Sequence, residues 1–315
     1  MRFTSVRGSL SSLHKLSVIS GAMFVLAAAS ACATVGKKGS VAIPPDAGHC
    51  KREAASAVGP QAATSDAYDK QVLSLSPALY LTFSNPSAPT QVDLSGHGHT
   101  ATYLPAGDPP SEVAMPNGDM AADFNGRSQY AQVASSEPLS VTDTGCMTIE
   151  AWIMPTTLQF PHEEGTGYVY VLGKGAPDKY EYGMRMYSAT NTEVPVRPNR
   201  ISGYVWNLAG GLGSGAYFQD PVKVNQWIMV TVVLDDRPSV LWPDGYVAIY
   251  KDGVLRGQVS MDQYDVDPKA SSAPLCIGTR DGDSYFEGAI GKVAIYDRIL
   301  SSAQIAATYN AMFAN

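Results

Sequence analysis

Between residues 73 and 315, apolar residues come in short runs separated by turn signals. This is the pattern of strands, not of helices. Twelve runs are predicted as strands: 79–83, 120–124, 129–133, 147–154, 168–172, 182–187, 201–208, 227–234, 246–251, 254–259, 275–279 and 289–296. Asp252-Gly253 lies between two of them, and a type I′ turn needs positive φ at both central positions, so a hairpin is expected there. Run 147–154 is apolar on both faces. Ile149, Ala151 and Ile153 alternate on one side, and Trp152 and Met154 on the other, so one face fills a core and the other meets neighbouring loops or a second layer. One helix is legible. Ser301-Ser302-Ala303-Gln304 forms a capping box, and Ile305, Tyr309 and Met312 then share a helical face.

The N-terminal 32 residues have a different pattern. A basic stretch up to Lys15 precedes the apolar run 16–31, which is short for a membrane span and suits an export signal. Its end, Ala29-Ser30-Ala31-Cys32, reads as a bacterial lipobox with Cys32 as the lipidated residue; ordinary cleavage and free secretion is the alternative. Residues 33–72 have one aromatic, Tyr68, and too little apolar surface to offset ordering entropy, so they are expected to be a flexible linker. Residues 73–315 are expected to form one domain.

Composition narrows the function. The chain has 22 Lys+Arg against 29 Asp+Glu, a net charge of −7, and residues 1–32 hold three bases and no acid. The remainder is therefore more acidic still. It has little to gain from counterion release on nucleic acid or from a polybasic membrane contact. Any membrane contact is expected only through an N-terminal lipid. Cys146 and Cys276 both fall in strand-like runs and are a plausible disulfide pair, while Cys50 is able to pair with either.

The series Leu79-Tyr80-Leu81-Thr82-Phe83, Asp93-Leu94-Ser95-Gly96, Ala122-Asp123-Phe124-Asn125-Gly126, Thr148-Ile149-Glu150-Ala151-Trp152, Asn225-Gln226-Trp227, Tyr250-Lys251-Asp252-Gly253, Cys276-Ile277-Gly278, Phe286-Glu287-Gly288 and Val293-Ala294-Ile295-Tyr296-Asp297-Arg298 keeps a characteristic order. Over residues 78–312 it resembles the bacterial laminin G-like domains of the concanavalin A-like lectin/glucanase group. The resemblance implies an all-β fold, a two-sheet antiparallel jelly-roll sandwich with a short C-terminal helix. It implies no single activity. It also implies a Ca²⁺ site at Asp93, assisted by Asp123 or backbone carbonyls. Two departures weigh against that site. Ile290-Gly291-Lys292-Val293 stands where members often read Ile-Asp-Glu-Val, and Ser128 and Gln129 stand where they often carry acids.

Catalytic patterns are sparse. The Glu-x-Asp-x-x-Glu alternation that places two carboxylates on one strand for glycoside hydrolysis is absent, as are nucleophile-elbow, Walker and His-Glu-x-x-His motifs. Gly210-Gly211-Leu212-Gly213-Ser214-Gly215 has no helix after it and reads as a loop, not a phosphate cradle. Sugar recognition needs aromatic faces and nearby polar groups. Trp206, Trp242 and Tyr285, in loops, with Asp281 and Asp283 beside them in sequence, are the candidate ligand-binding residues. The expectation is a non-catalytic, exported, lipid-anchored module on the cell envelope that binds a glycan or glycosylated surface. A domain binding another envelope protein is the alternative. A divergent glycoside hydrolase using Glu150, Asp281 or Asp283 is a third reading.

Overall fold

The structure is a computed structural model describing residues 66–314. Strands are numbered along the chain. The first sheet contains β1 (Leu79–Leu81), β4 (Ser111–Ala114), β5 (Met120–Asn125), β7 (Cys146–Pro155), β12 (Ile228–Asp235), β13 (Tyr246–Lys251), β14 (Val254–Ser260) and β16 (Glu287–Tyr296). Its order is β14-β13-β12-β7-β16-β5-β4, with β1 also paired to β16. The second contains β2 (Thr90–Gln91), β3 (Ala101–Leu104), β6 (Tyr130–Val133), β8 (Tyr168–Lys174), β9 (Tyr182–Tyr187), β10 (Ile201–Val205), β11 (Ser214–Tyr217) and β15 (Leu275–Ile277). Its order is β11-β10-β9-β8-β15-β6-β3-β2, and every pairing in both sheets is antiparallel. Three short helices complete the domain: α1 (Ala67–Ser74), α2 (Val141–Thr144) and α3 (Ser302–Ala311). This is the two-sheet jelly-roll sandwich that the sequence predicts.

Side-chain alternation sorts the residues into layers. Ile149, Ala151 and Ile153 of β7 join Val169 and Val171 of β8 and Met184 and Met186 of β9 in one buried cluster between the sheets. Each such aliphatic side chain, fully buried, is worth about 1.5–3 kcal/mol. The opposite face of the first sheet carries Trp152, Met229, Tyr250 and Tyr296, and these are covered by Tyr68 and Val72 of α1 and by Ile305 and Met312. The indole of Trp152 lies parallel to the Tyr309 ring of α3 at 5.7 Å. The Ser301–Gln304 capping box forms at the start of α3. Asp252 and Gly253 both take positive φ, joining β13 to β14 by a two-residue turn.

Several expectations need correction. Residues 67–72, assigned to the linker, belong to α1, and residues 33–65 of that segment lie outside the described residues. Asp66 caps that helix by accepting from the Asp69 N–H, and Tyr68 and Val72 are fully buried. The lone aromatic of the segment is therefore an anchor. The Cys146–Cys276 bridge does not form, since Cys276 is a free, buried thiol. Alternation explains this. Cys146 faces the helix layer, whereas Cys276, between the core residues Leu275 and Ile277, faces out from the second sheet. The sequence pattern also misses β2, β3, β4 and β11. All four are at most four residues long and lie at or next to a sheet edge, where one-sided burial leaves little apolar signal.

Two charged residues are buried under the helices. Lys292 sits where the β7–β16 register shifts, at φ 51°, and its Nζ reaches Asp69 and Asp119, each at 2.5 Å. This ties α1 and the turn before β5 to the sheet. Glu150 is fully buried, accepting from Tyr296 Oη at 3.1 Å and facing Thr231 Oγ1 at 3.5 Å. Burial pushes its carboxyl up to about 7. A raised carboxyl contributes stability that is complete below the unfolded value near 4.5 and is lost as pH rises through the folded value. Chemical denaturation should therefore show Glu150→Gln gaining about 2–3 kcal/mol on the wild type between pH 5 and pH 8. Lys292→Met should cost about 3–5 kcal/mol in the same assay, since it leaves carboxylates buried without their cation.

Candidate functional site: an aromatic cleft on the second sheet

The outer face of the second sheet is built by the same alternation. Tyr168 and Tyr170 of β8, Arg185 and Tyr187 of β9, and Tyr204 of β10 project from it, and Tyr217 of β11 and Trp206, just past β10, extend the row. The rings lie close because glycines sit beneath them. A β-carbon on Gly183 would fall 2.8 Å from the Tyr170 ring, and one on Gly215 would fall 2.6 Å from the Tyr204 ring. Tyr204 and Trp206 stack at 5.4 Å between centroids, and Trp206 meets Tyr170 edge-on at 6.0 Å.

Over β8–β11 lies a cleft of about 610 Å³, within the range of small-ligand sites. Tyr168, Tyr204, Trp206 and Tyr217 supply aromatic lining. The 188–200 loop contributes Glu193, Val194 and Arg197, the 206–213 loop contributes Leu212, and the turn Met261–Tyr264 contributes Tyr264. Trp206 and Tyr204 form the floor, at 5% and 7% exposure, while Tyr168 and Tyr217 are half-buried and Tyr264 is exposed.

Cations are threaded through these rings. The Arg185 guanidinium lies 3.8 Å from the Tyr204 centroid, 4.4 Å from Tyr168 and 4.9 Å from Tyr187. Arg197 lies 4.6 Å from Tyr217. Its Nη1 donates to Tyr187 Oη at 2.8 Å, Tyr204 Oη at 3.0 Å and Glu193 Oε1 at 3.2 Å. Arg185 Nη2 also donates to Tyr187 Oη at 2.8 Å and lies 3.6 Å from Glu193 Oε2. Glu193 is the one carboxylate lining the cleft.

A third arginine adjoins this row. Arg280 lies 4.3 Å from the Tyr170 centroid and 5.6 Å from Trp206, and its Nε and Nη2 donate to Asp281 Oδ2 at 3.0 and 2.7 Å. Glu164 and Asp283 stand beside Asp281 in a carboxylate group. Burial, reinforced by the charges of Asp281 and Asp283 against that of Arg280, pushes Glu164 up to about 7.

The predicted ligand-binding residues separate. Trp206 lines the cleft, and Arg280 links it to Asp281 and Asp283. Tyr285 lies further along the sheet, with its ring 6.3 Å from Tyr130 and 6.4 Å from His162. Trp242 packs beside Tyr246 in the layer under the helices, on the other sheet. The tyrosines and arginines of β8–β10 were the residues missed. The signal for them was the alternation Tyr168-x-Tyr170 and Gly183-x-Arg185-x-Tyr187, which places large polar-tipped residues on the face opposite the core.

The acids proposed for calcium are otherwise engaged. Asp93 accepts from the backbone N–H of Tyr80, Ser95 and His99 at 2.9–3.0 Å, an Asx-type turn cap. Asp123 borders a separate hollow of about 330 Å³ with Glu287 and Gln129. Among the described residues neither joins a three-carboxylate group. The two groups that exist already hold cations, Lys292 at Asp69 and Asp119, and Arg280 at Asp281 and Glu164. This donor set does not fit a dedicated Ca²⁺ site. Another hollow, of about 510 Å³, is bordered by four aspartates and three prolines and offers no aromatic face.

The laminin G-type model of the concanavalin A-like lectin/glucanases superfamily matches residues 125–306, which include β6–β16 and the cleft. The chain belongs to this superfamily. Among solved structures, this concanavalin A-like chain is similar to domain 4 of AbnA, an extracellular arabinanase of Geobacillus stearothermophilus, in complex with arabinotriose. The TM-score is 0.52 at 16% identity, covering 74% of this chain and 97% of that one. It is also similar to a botulinum neurotoxin type C chain whose entry into cells depends on two ganglioside molecules (TM-score 0.54, 13% identity, 78% and 53% covered). A third is the botulinum neurotoxin DC binding domain, in complex with rat synaptotagmin II (0.53, 14%, 76% and 52%). The chain thus spans about half of each toxin chain, and at these identities the likeness is one of fold. No curated protein matches the sequence.

Proposed function

We propose that this chain is a non-catalytic, lectin-like module whose cleft over β8–β11 binds a glycan or a glycosylated surface. The observation that carries this reading is the cleft itself, in which aromatic rings and planar guanidinium groups are held together in a hollow of ligand size. A pyranose presents C–H faces that rest on aromatic rings, and its rim of hydroxyls suits fixed polar groups. The arabinotriose-bound arabinanase domain and the ganglioside-dependent toxin lend the fold a precedent. Hydrolysis requires two carboxylates flanking the bond, and the cleft has Glu193 alone. Glu150, one acid of the hydrolase reading, is buried under the helices of the other sheet. A protein partner is the second reading, favoured by Val194 and Leu212, which stand 90% and 71% exposed on the cleft rim.

Export and lipid anchoring belong to the same proposal. They rest on residues 1–32 and Cys32, which lie outside the described residues. Cys276 is a free thiol, so Cys146 is the strand cysteine left for a bridge of the kind an oxidising compartment allows. With Cys32 carrying lipid, Cys50 remains as the partner for Cys146. Burial pushes the Cys276 thiol up to about 11, so it stays unreactive in the folded protein. Thiol titration of the lipidated chain, denatured but not reduced, should count one free thiol, Cys276; three would remove the bridge.

The binding reading is tested on a glycan array, followed by titration of the best ligand. Tyr217→Ala and Tyr264→Ala should each weaken binding about three- to tenfold, the scale of one lost aromatic contact. Trp242→Ala, on the other sheet, should leave affinity unchanged. Failure to bind any sugar class would sink the proposal, and capture of an envelope protein that survives deglycosylation would favour the second reading.

A further inference from the structure

We propose that the ligand carries an anionic group, a carboxylate or a sulfate, which Arg185 and Arg197 receive in the place now held by Glu193. This deepens the glycan reading of the same cleft and rests on it. The ligand class that fits is an acidic glycan, with uronate and sulfated sugars as the two sources of the shared charge.

The argument starts from donor counting. A guanidinium has five N–H donors and no acceptor. Two guanidinium groups converge on Glu193, but only Arg197 is within hydrogen-bond distance, at 3.2 Å, while Arg185 stands off at 3.6 Å. The Nε–H of Arg185 and the Nε–H of Arg197 are both buried without a partner among the described residues. Arg185 is itself only 6% exposed and lines the cleft. Unpaired donors on buried cations are costly. An acceptor with several oxygens in fork geometry matches them better than one carboxylate held at this distance.

Charge points the same way. The chain is acidic overall, yet the charged residues lining this cleft are two arginines and one glutamate. The aspartates of the other large hollow and the carboxylates around Arg280 do not line it. Glu193 is also the more exposed partner. Its side chain is 24% exposed on the irregular 188–200 loop, whereas Arg185 is fixed among three rings. An incoming anion therefore competes with Glu193 for ready-made cations, and the glutamate acts as an internal stand-in for the ligand.

The test titrates the exported chain with polygalacturonate, a sulfated galactan and a neutral β-galactan, at low and raised salt. Acidic polymer should bind more tightly than neutral, more weakly as salt rises. Which acidic polymer wins assigns the source. Glu193→Gln removes the competing charge at constant shape, and should tighten acidic-polymer binding about three- to tenfold without changing neutral binding. Arg197→Gln should weaken it at least tenfold, with a melting curve to show that the variant folds. If Arg197→Gln unfolds, Glu193→Gln alone decides. Acidic binding unchanged or weakened by Glu193→Gln overturns the inference. So does Tyr217-dependent binding of the neutral polymer at equal or higher affinity, which leaves the broader glycan reading standing. If neither acidic polymer binds, the inference fails, and the neutral polymer then decides the fate of the broader reading.

Discussion

A pleated strand places alternate side chains on opposite faces, and in a sandwich only one face of each sheet can enter the shared core. The rest of this structure is arranged around that constraint. With Ile149, Ala151 and Ile153 facing inward, Cys146, Thr148, Glu150 and Trp152 must face out, whatever their chemistry. The same rule, applied to β8–β10, sends Tyr170, Arg185, Tyr187 and Tyr204 to the far side of the second sheet. Each outer face then has to be covered, satisfied by its own polar groups, or offered to a ligand.

The two outer faces take different routes. That of the first sheet carries Trp152, Met229 and Tyr250, which leave too much apolar surface to stand in water, and α1 and α3 cover it. Covering it buries Glu150 with two hydroxyl neighbours, and it buries Asp69, which requires Lys292 as an internal cation. That of the second sheet is aromatic but polar-tipped. Its phenolic oxygens accept from arginines, so it is satisfied with no helix above it among the described residues. The open face is the one that has a cleft, and the closed face is the one that holds α1 and α3.

This division also determines what was legible in the sequence. The central strands were, because both of their neighbours bury them and the apolar runs are long; β9 and β13 were predicted at their observed bounds. The Asp252-Gly253 turn and the Ser301–Gln304 box were legible as local chemistry. The short edge strands were not, since half-exposed pairs such as Thr90-Gln91 look like loop. Nor was α1, whose burial depends on a tertiary partner, the exposed back of β7 and β16. For the site, Trp206 and Trp242 both stood out because a loop tryptophan is conspicuous, and the structure places one in the cleft and the other against the opposite sheet. Which sheet a loop residue returns to is a long-range fact. The arginine and tyrosine face of β8–β10 lay in strands that looked like core, and only the strand pairing shows that half of each strand points outward.

The way the cations are held has a consequence for binding. A buried arginine paired with a carboxylate loses most of its pull on a second anion, as Arg280 does against Asp281 and Glu164. Arg185 has no carboxylate within hydrogen-bond distance among the described residues, Glu193 standing at 3.6 Å, and rests on ring faces at 3.8–4.9 Å, where the aromatic quadrupole lowers the cost of burial without cancelling the charge. Guanidinium suits that role better than ammonium, being planar and weakly hydrated. Held between rings, it also loses little side-chain freedom when a partner arrives, so more of the interaction appears as affinity. A cleft built this way keeps an available positive charge in a protein whose net charge is negative, fixed in position before any ligand enters.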